Sequence, residues 1–218
     1  MKVGTSVICR YNFSSEDKQT VTQTSVDTLD TVTVAPVLHE GFTLWLTGLS
    51  GAGKTTIAKA LEPVLRGRGV RFERLDGDTV REGLTRDLGF SKEDRDKNIE
   101  RVTFVAKLLS RNGVGVVASF ISPYRETRAK TRAETSNFIE VYVNAPLQVC
   151  ADRDVKGMYA KAFRGEIQNF TGVSDPYEEP ENPEITVHTD QESVDESVNR
   201  IVNYLEEKGF IPRTESAA

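Results

Sequence analysis

From Gly41 onward the chain alternates short apolar runs with longer stretches of helical spacing. The apolar runs fall at 42–47, 71–75, 114–121, 138–143 and 185–189. Each is short, and all but 71–75, Arg-Phe-Glu-Arg-Leu, are rich in β-branched or aromatic residues, as a buried strand is. The stretches between them repeat apolar residues three and four apart, the period of a helix with one buried face. The clearest covers 91–112: Ser91 and Asp94 form a capping box, Ile99, Val102, Val105, Ala106 and Leu109 form the stripe, and Gly113 closes it. The last, 193–208, repeats the design with Ser193 and Glu196 as cap, Val194, Val198, Ile201, Val202 and Leu205 toward the core, and Gly209 as the stop. Such alternation predicts a mostly parallel sheet with right-handed crossovers and helices on both faces. Pro63 falls inside the helix after the first strand and predicts a kink or an early end there, since an interior proline costs ~3 kcal/mol.

Two regions depart from the rhythm. Residues 1–40 form an N-terminal appendage, rich in Ser, Thr, Asp and Gln between Ser14 and Val34, with weak Val-Thr alternation and no helix signal. That composition suits disorder, or a loose β-extension on the core or on a partner subunit. Within the main domain, 41–212, residues 153–184 form a long excursion with three prolines near its end. Its length predicts an active-site lid, the alternative being a plain surface loop. Residues 213–218 are a tail.

The strongest motif is Gly48-Leu-Ser-Gly-Ala-Gly-Lys-Thr55, which fills every fixed position of the P-loop pattern between a predicted strand and a predicted helix. Glycines at Gly48, Gly51 and Gly53 let the backbone curl until consecutive N–H groups face phosphate oxygens, and the helix that follows adds its own free donors. Leu49, Ser50, Ala52 and Thr56 complete the ATP-binding run, Lys54 reaches the β- and γ-phosphates, and the Thr55 hydroxyl ligates Mg²⁺. The fold expected is therefore that of the P-loop NTPases, an α/β fold.

Composition narrows the partners. The 218 residues carry a net charge of −5, which disfavours nucleic acid as the main ligand. Between Arg81 and Arg132 there are 12 Lys/Arg against 7 Asp/Glu, whereas from Glu166 onward there are 3 against 13. A polyanionic small molecule bound downstream of the P-loop suits that distribution. No apolar run approaches the ~20 residues of a membrane helix, and the N-terminus has no signal-peptide core, so a cytoplasmic location is expected. Cys150 lies among apolar neighbours and reads as a small buried hydrophobe; a bond to Cys9 is disfavoured in a reducing compartment. His39 and His188 show no metal-ligand spacing.

The second strand ends Arg74-Leu-Asp-Gly-Asp78, and no base-reading N-K-x-D loop of a GTPase occurs. Two carboxylates beside a P-loop suit an enzyme that phosphorylates an acceptor. Asp78 is placed to take a hydrogen bond from the attacking hydroxyl or to orient a Mg²⁺ water, with Asp76 in support. A helix-capping role for Asp78 stands equally open, as does the choice of which aspartate meets the metal.

Several blocks then follow in order: L-D-G-D-x-V-R from Leu75, D-L-G-F-S-x-x-D-R-x-x-N-I from Asp87, Phe120-Ile-Ser-Pro-Tyr-Arg125, Arg153-Asp-Val-Lys-Gly-Met-Tyr159 and Gly165-Glu-Ile-Gln-Asn-Phe-Thr-Gly172. Over 41–211 this order resembles adenylylsulfate kinase (APS kinase). The resemblance implies transfer of the ATP γ-phosphate to the ribose 3′-hydroxyl of adenosine 5′-phosphosulfate (APS), giving PAPS and ADP. It implies that Phe90 and Phe170 sandwich the acceptor adenine, that Arg81, Arg95 and Asn98 hold its phosphosulfate, and that Lys156 adds a further cation. Arg95 and Asn98, three apart on a helix, would face one anion together. Ile121 and Ser122 line the acceptor, and Ser122 is either a phosphorylated intermediate or a positioning group, the second being favoured because in-line transfer needs no relay. Arg153 contacts ATP, or else pairs with Asp152 and Asp154; Arg125 and Arg128, at i, i+3 on a helix, are open between a site role and a solvated face. A homodimer, and association or fusion with an ATP sulfurylase, are also implied. Ala151 and Phe163 depart from the family pattern, but Lys54 and Thr55 are intact, so an active enzyme is expected rather than a nucleotide-binding regulatory module. Another small-metabolite kinase, of gluconate or shikimate type, would have no use for the Phe90 and Phe170 pair.

Overall fold

Five strands follow the apolar runs: β1 (Thr43–Thr47), β2 (Phe72–Asp76), β3 (Gly115–Ser119), β4 (Phe138–Asn144) and β5 (Ile185–His188). They form one all-parallel sheet in the order β2-β3-β1-β4-β5. The computed structural model describes residues 41–154 and 156–213; the appendage, Cys9, His39 and most of the tail lie outside them. β1 and β3 are buried along their whole length, which is why they read as unbroken apolar runs instead of alternating ones.

Side-chain alternation along the strands divides the core into two layers. Leu44, Leu46, Val117 and Val141 pack with Ile57, Leu61, Ile201 and Leu205, from α1 (Lys54–Gly67) and α7 (Val194–Glu207). Trp45, Val116, Ala118 and Phe120 face the other way onto Ile99, Val102 and Ala106 of α3 (Lys92–Ser110). Helices therefore cover both faces. Chain order reverses on either side of β1, so a crevice opens at the C-terminal ends of β1 and its neighbours. Among the described residues no helix is long and apolar enough to cross a membrane.

Three local expectations need correction or refinement. α1 is neither stopped nor shortened by Pro63: it runs four residues further, with Pro63 on its exposed side and Leu61 and Leu65 fully buried. The packing of those leucines outweighs the missing backbone bond. Ser91 does cap α3, accepting from Asp94 N, but the reciprocal half of the box is absent because the Asp94 carboxylate accepts from Gly89 N instead. An aspartate is one methylene shorter than the glutamate that closes the box on α7, where Ser193 and Glu196 cap reciprocally. Val194, expected in the core, is 39% exposed: as the first helical residue it precedes the turn that meets the sheet.

The remaining helices are short: α2 (Gly77–Glu82), α4 (Arg125–Glu134), α5 (Leu147–Arg153) and α6 (Met158–Phe163). α2 and α4 follow β2 and β3 on the crevice side, and α5 and α6 lead into the excursion.

Candidate active site

The loop between β1 and α1 has a backbone that only glycine adopts easily. Gly48 and Gly53 have φ of 152° and 102°, and a Cβ on Gly48 would lie 2.3 Å from the Val143 carbonyl oxygen. The loop carbonyls are held from behind. Tyr159 Oη donates to Ser50 O at 2.8 Å, Arg153 Nη1 to Gly51 O at 3.1 Å, and Thr189 Oγ1 to Ala52 O at 2.8 Å. Arg153 also donates to Thr189 itself, so it braces the loop and forms no ion pair with Asp152 or Asp154. Tyr159 and Thr189 carried no signal in the sequence, since they meet the loop from more than a hundred residues away.

Lys54 heads α1 and is buried, with Nζ donating to Gly48 O at 2.9 Å and Leu49 O at 2.7 Å. Burial without a full counter-charge pulls its pKa from the ordinary 10.5 down to about 8. Thr55 Oγ1 donates to Asp76 Oδ2 at 2.9 Å, and Asp76 Oδ1 accepts from Asp78 N at 3.1 Å. Asp76, not Asp78, is therefore the N-cap of α2. That leaves the Asp78 carboxylate out in the crevice, 68% exposed and paired with Lys156 Nζ. Thr56 is exposed on the first turn of α1.

The cations of the acceptor side surround the turn from Leu88 to Ser91. Arg81 Nη1 donates to Leu88 O and Gly89 O, and its guanidinium lies 4.4 Å from the Phe90 ring centroid. Arg95 Nε donates to Phe90 O at 2.9 Å, while its terminal nitrogens reach Thr171 Oγ1 and Asn169 O. Burial first, and then the charge of Arg95, hold the Arg81 pKa below its ordinary value. Arg81 and Arg95 thus bring two cations to one turn, which suits an anion. Asn98 does not share a partner with Arg95: it is buried, and its Oδ1 accepts from Thr85 Oγ1 at 2.7 Å. The two aromatics also differ. Phe90 is 56% exposed, whereas Phe170 is buried edge-on against Tyr159 at 4.9 Å.

Ser122 follows β3 with φ of 39°, a left-handed conformation that non-glycine residues rarely adopt. Thr47 Oγ1 donates to Ile121 O at 2.7 Å, so it accepts from both Ser122 Oγ at 3.1 Å and Tyr177 Oη at 2.9 Å. Trp45 Nε1 in turn donates to Ser122 Oγ at 3.0 Å. The single proton of the Ser122 hydroxyl is thus committed to Thr47, and no base touches it. Arg128 is no solvated face: it is buried and bonded to Ser122 O, Glu178 O and Glu140. Arg125, half exposed, ties the Glu178–Glu181 stretch to the start of α4. Cys150 is fully buried, as its neighbours predicted.

Comparisons with known proteins supply the family. The family model for adenylylsulphate kinase matches residues 40–188. A probable adenylyl-sulfate kinase of Pseudomonas aeruginosa is 71% identical over 164 residues, covering 75% of this chain and 77% of that one. The adenylyl-sulfate kinase of Halothermothrix orenii is 61% identical over 173 residues, covering 79% and 94%. Among solved structures, the APS kinase of Mycobacterium tuberculosis in complex with AMPPNP and APS superposes with a TM-score of 0.74 at 44% identity, covering 77% of this chain and 98% of that one. The chain belongs to the adenylylsulfate kinase family.

Proposed function

We propose that the crevice at the ends of β1, β2 and β3 brings ATP and APS together for direct phosphoryl transfer, with the residues described above in the following roles. As a member of its family the chain is a kinase that phosphorylates APS with ATP to PAPS. The observation that carries the residue roles is the arrangement of the P-loop, the Asp76–Asp78 pair and the Arg81–Arg95 cluster around one crevice. The amides of 48–55 cradle the triphosphate and Arg153 keeps them in place. On phosphate binding, Lys54 exchanges its two loop carbonyls for phosphate oxygens.

Thr55 Oγ1 and Asp76 Oδ2, 2.9 Å apart, are oxygen donors of the kind Mg²⁺ takes, so the residues present fit that ion. Thr55 would ligate it, with Asp76 in contact directly or through its water. Bound there, Mg²⁺ would supply positive charge to offset that of the transferring phosphate. Asp78, free of any capping duty, accepts the proton of the attacking ribose hydroxyl once Lys156 turns from it to the incoming anion. Arg81, Arg95 and Lys156 bind the phosphosulfate; Arg95 must leave Asn169 and Thr171 to do so, which couples acceptor binding to the 156–171 stretch. Asn98 supports that side through Thr85. Phe90 offers an open face to the adenine and Phe170 closes the other side by its edge.

Ser122 acts by position. Its hydroxyl proton serves Thr47, and in-line transfer needs no covalent relay. A homodimer, which rests on the family likeness, and a cytoplasmic location, which rests on the sequence, are further readings, and a monomer in sedimentation velocity would remove the first. The reaction is tested with an acceptor series. ADP release should require APS and be absent with gluconate or shikimate, and the product should carry its new phosphate on the 3′-oxygen by phosphorus NMR. Turnover of either other acceptor at the APS rate would displace the assignment.

A further inference from the structure

The guanidinium of Arg128, on α4, is buried outside the reacting centre. It is 3% exposed and all three nitrogens are engaged: Nε with Glu140 Oε1 at 2.7 Å, Nη1 with Ser122 O at 2.6 Å, and Nη2 with Glu178 O at 2.6 Å. A planar fork of fixed geometry imposes its own spacing on the groups it joins. Here it joins two separate loops, the 121–124 turn after β3 and the 175–181 stretch. They are stitched further by Glu178 N to Pro123 O at 2.9 Å and Tyr124 Oη to Asp175 Oδ2 at 2.9 Å. Arg128 also lies 5.9 Å from the Tyr177 ring centroid. The hydroxyl of that tyrosine donates to Thr47, the residue before Gly48. Arg128 therefore stands behind both the acceptor turn and the root of the phosphate loop.

Arg132 is the neighbouring cation, yet it points elsewhere, to both carboxylate oxygens of Glu184 and, at 3.4 Å, to Glu140. Glu140 on β4 is 7% exposed and balances the buried charge of Arg128. A plain structural ion pair would need only Arg128 and Glu140. Two further bonds to loop carbonyls, one of them on a residue with φ of 39°, mark a different use.

We infer that Arg128 is a positioning residue for the acceptor: it holds Ser122 in its left-handed conformation and fixes the acceptor turn relative to the phosphate loop. This rests on the reading that Ile121 and Ser122 line the APS site. Trp45, the only tryptophan of the chain, donates its indole N–H to Ser122 Oγ and so reports on that turn by fluorescence.

The test uses the full chain as wild type, Arg128→Lys, the charge-balanced double variant Arg128→Met with Glu140→Gln, and Ser122→Ala. Melting curves establish folding; ATP binding, the kinetic constants for each substrate and Trp45 emission are then measured. Misplacement of a bound group by about 1 Å can cost about 100-fold in rate. Accordingly kcat/KM for APS should fall about 10- to 100-fold in the double variant, with ATP affinity within about threefold of wild type. Arg128→Lys, which keeps the charge but loses the fork, should show a smaller loss of the same kind. Emission of Trp45 should shift in both.

Equal losses toward ATP and APS would overturn the inference and leave Arg128 a structural pair. So would wild-type APS kinetics in the folded variants, and if the double variant fails to fold, Arg128→Lys alone decides on the same criteria. Ser122→Ala separates the underlying reading. If Trp45 emission does not respond to APS and Ser122→Ala leaves KM for APS unchanged, the acceptor turn itself is misassigned. If Ser122→Ala raises KM while both Arg128 variants behave as wild type, only the role of Arg128 is refuted.

Discussion

Replacing Lys54 by methionine should destroy catalysis and make the ligand-free protein more stable. The side chain is 9% exposed and its ammonium faces only two carbonyls in the absence of nucleotide. Burial lowers its pKa from 10.5 to about 8; at ~1.4 kcal/mol per tenfold, the charged form costs the fold roughly 3 kcal/mol. Methionine has similar length, fills the same space and carries no charge, but it forfeits both hydrogen bonds. The net gain at neutral pH should be about 1–3 kcal/mol, or several degrees in melting temperature for a domain of this size.

The pH dependence fixes the cause. Between about pH 8 and 10.5 the unfolded chain keeps the proton that the folded protein has released. Stability of the wild type therefore rises with pH through that window, and the penalty is complete only below it. The advantage of Lys54→Met should accordingly be largest at pH 7 and shrink toward pH 10. Saturating ATP should reverse the order, since ligand at about a thousand times its Kd adds about 4.1 kcal/mol to the wild type alone. Differential scanning calorimetry across pH, with and without ATP, reads all of this. A variant that melts below wild type at pH 7, or a gap that is independent of pH, would refute the reasoning.

Other expectations follow from the same geometry. Thr55→Ala should leave the melting temperature within a degree or two while abolishing the Mg²⁺ dependence of ATP affinity, read by calorimetric titration; an unchanged Mg²⁺ dependence would place the ion elsewhere. Ser122→Ala should retain turnover within about tenfold, because its hydroxyl serves Thr47 and Trp45; a loss beyond a thousandfold would revive the phosphoserine route. Phe90→Ala removes an exposed ring, so stability should hold while KM for APS rises about 5- to 150-fold, the range of ~1–3 kcal/mol for base stacking.

The sheet was legible because its central strands are buried on both faces, so composition alone marks β1 and β3. The P-loop was legible because eight consecutive residues carry it. What stayed hidden joins residues far apart in the chain. Thr47 and Tyr177 meet across 130 positions, and nothing local to Asp175-Pro-Tyr177 signals a partner at the root of the phosphate loop. Arg125 and Arg128 look alike in sequence and lie on one side of α4, yet Arg125 at the first residue of the helix stays half exposed while Arg128 reaches the buried carboxylate of Glu140, which no local pattern announces. The cap expected at Asp78 is missing because α2 already begins at Gly77, and Asp76 caps it by accepting from Asp78 N. Arg95 and Asn98 were correctly spaced for one face, but Thr85 draws the asparagine inward.

The central claim is that APS is phosphorylated from ATP held at the P-loop. It is tested most directly by ADP release from Mg-ATP, with and without APS, in wild type and Lys54→Ala. The account predicts release that requires APS in the wild type and is lost in the variant. APS-independent release, or turnover that survives loss of Lys54, would contradict it.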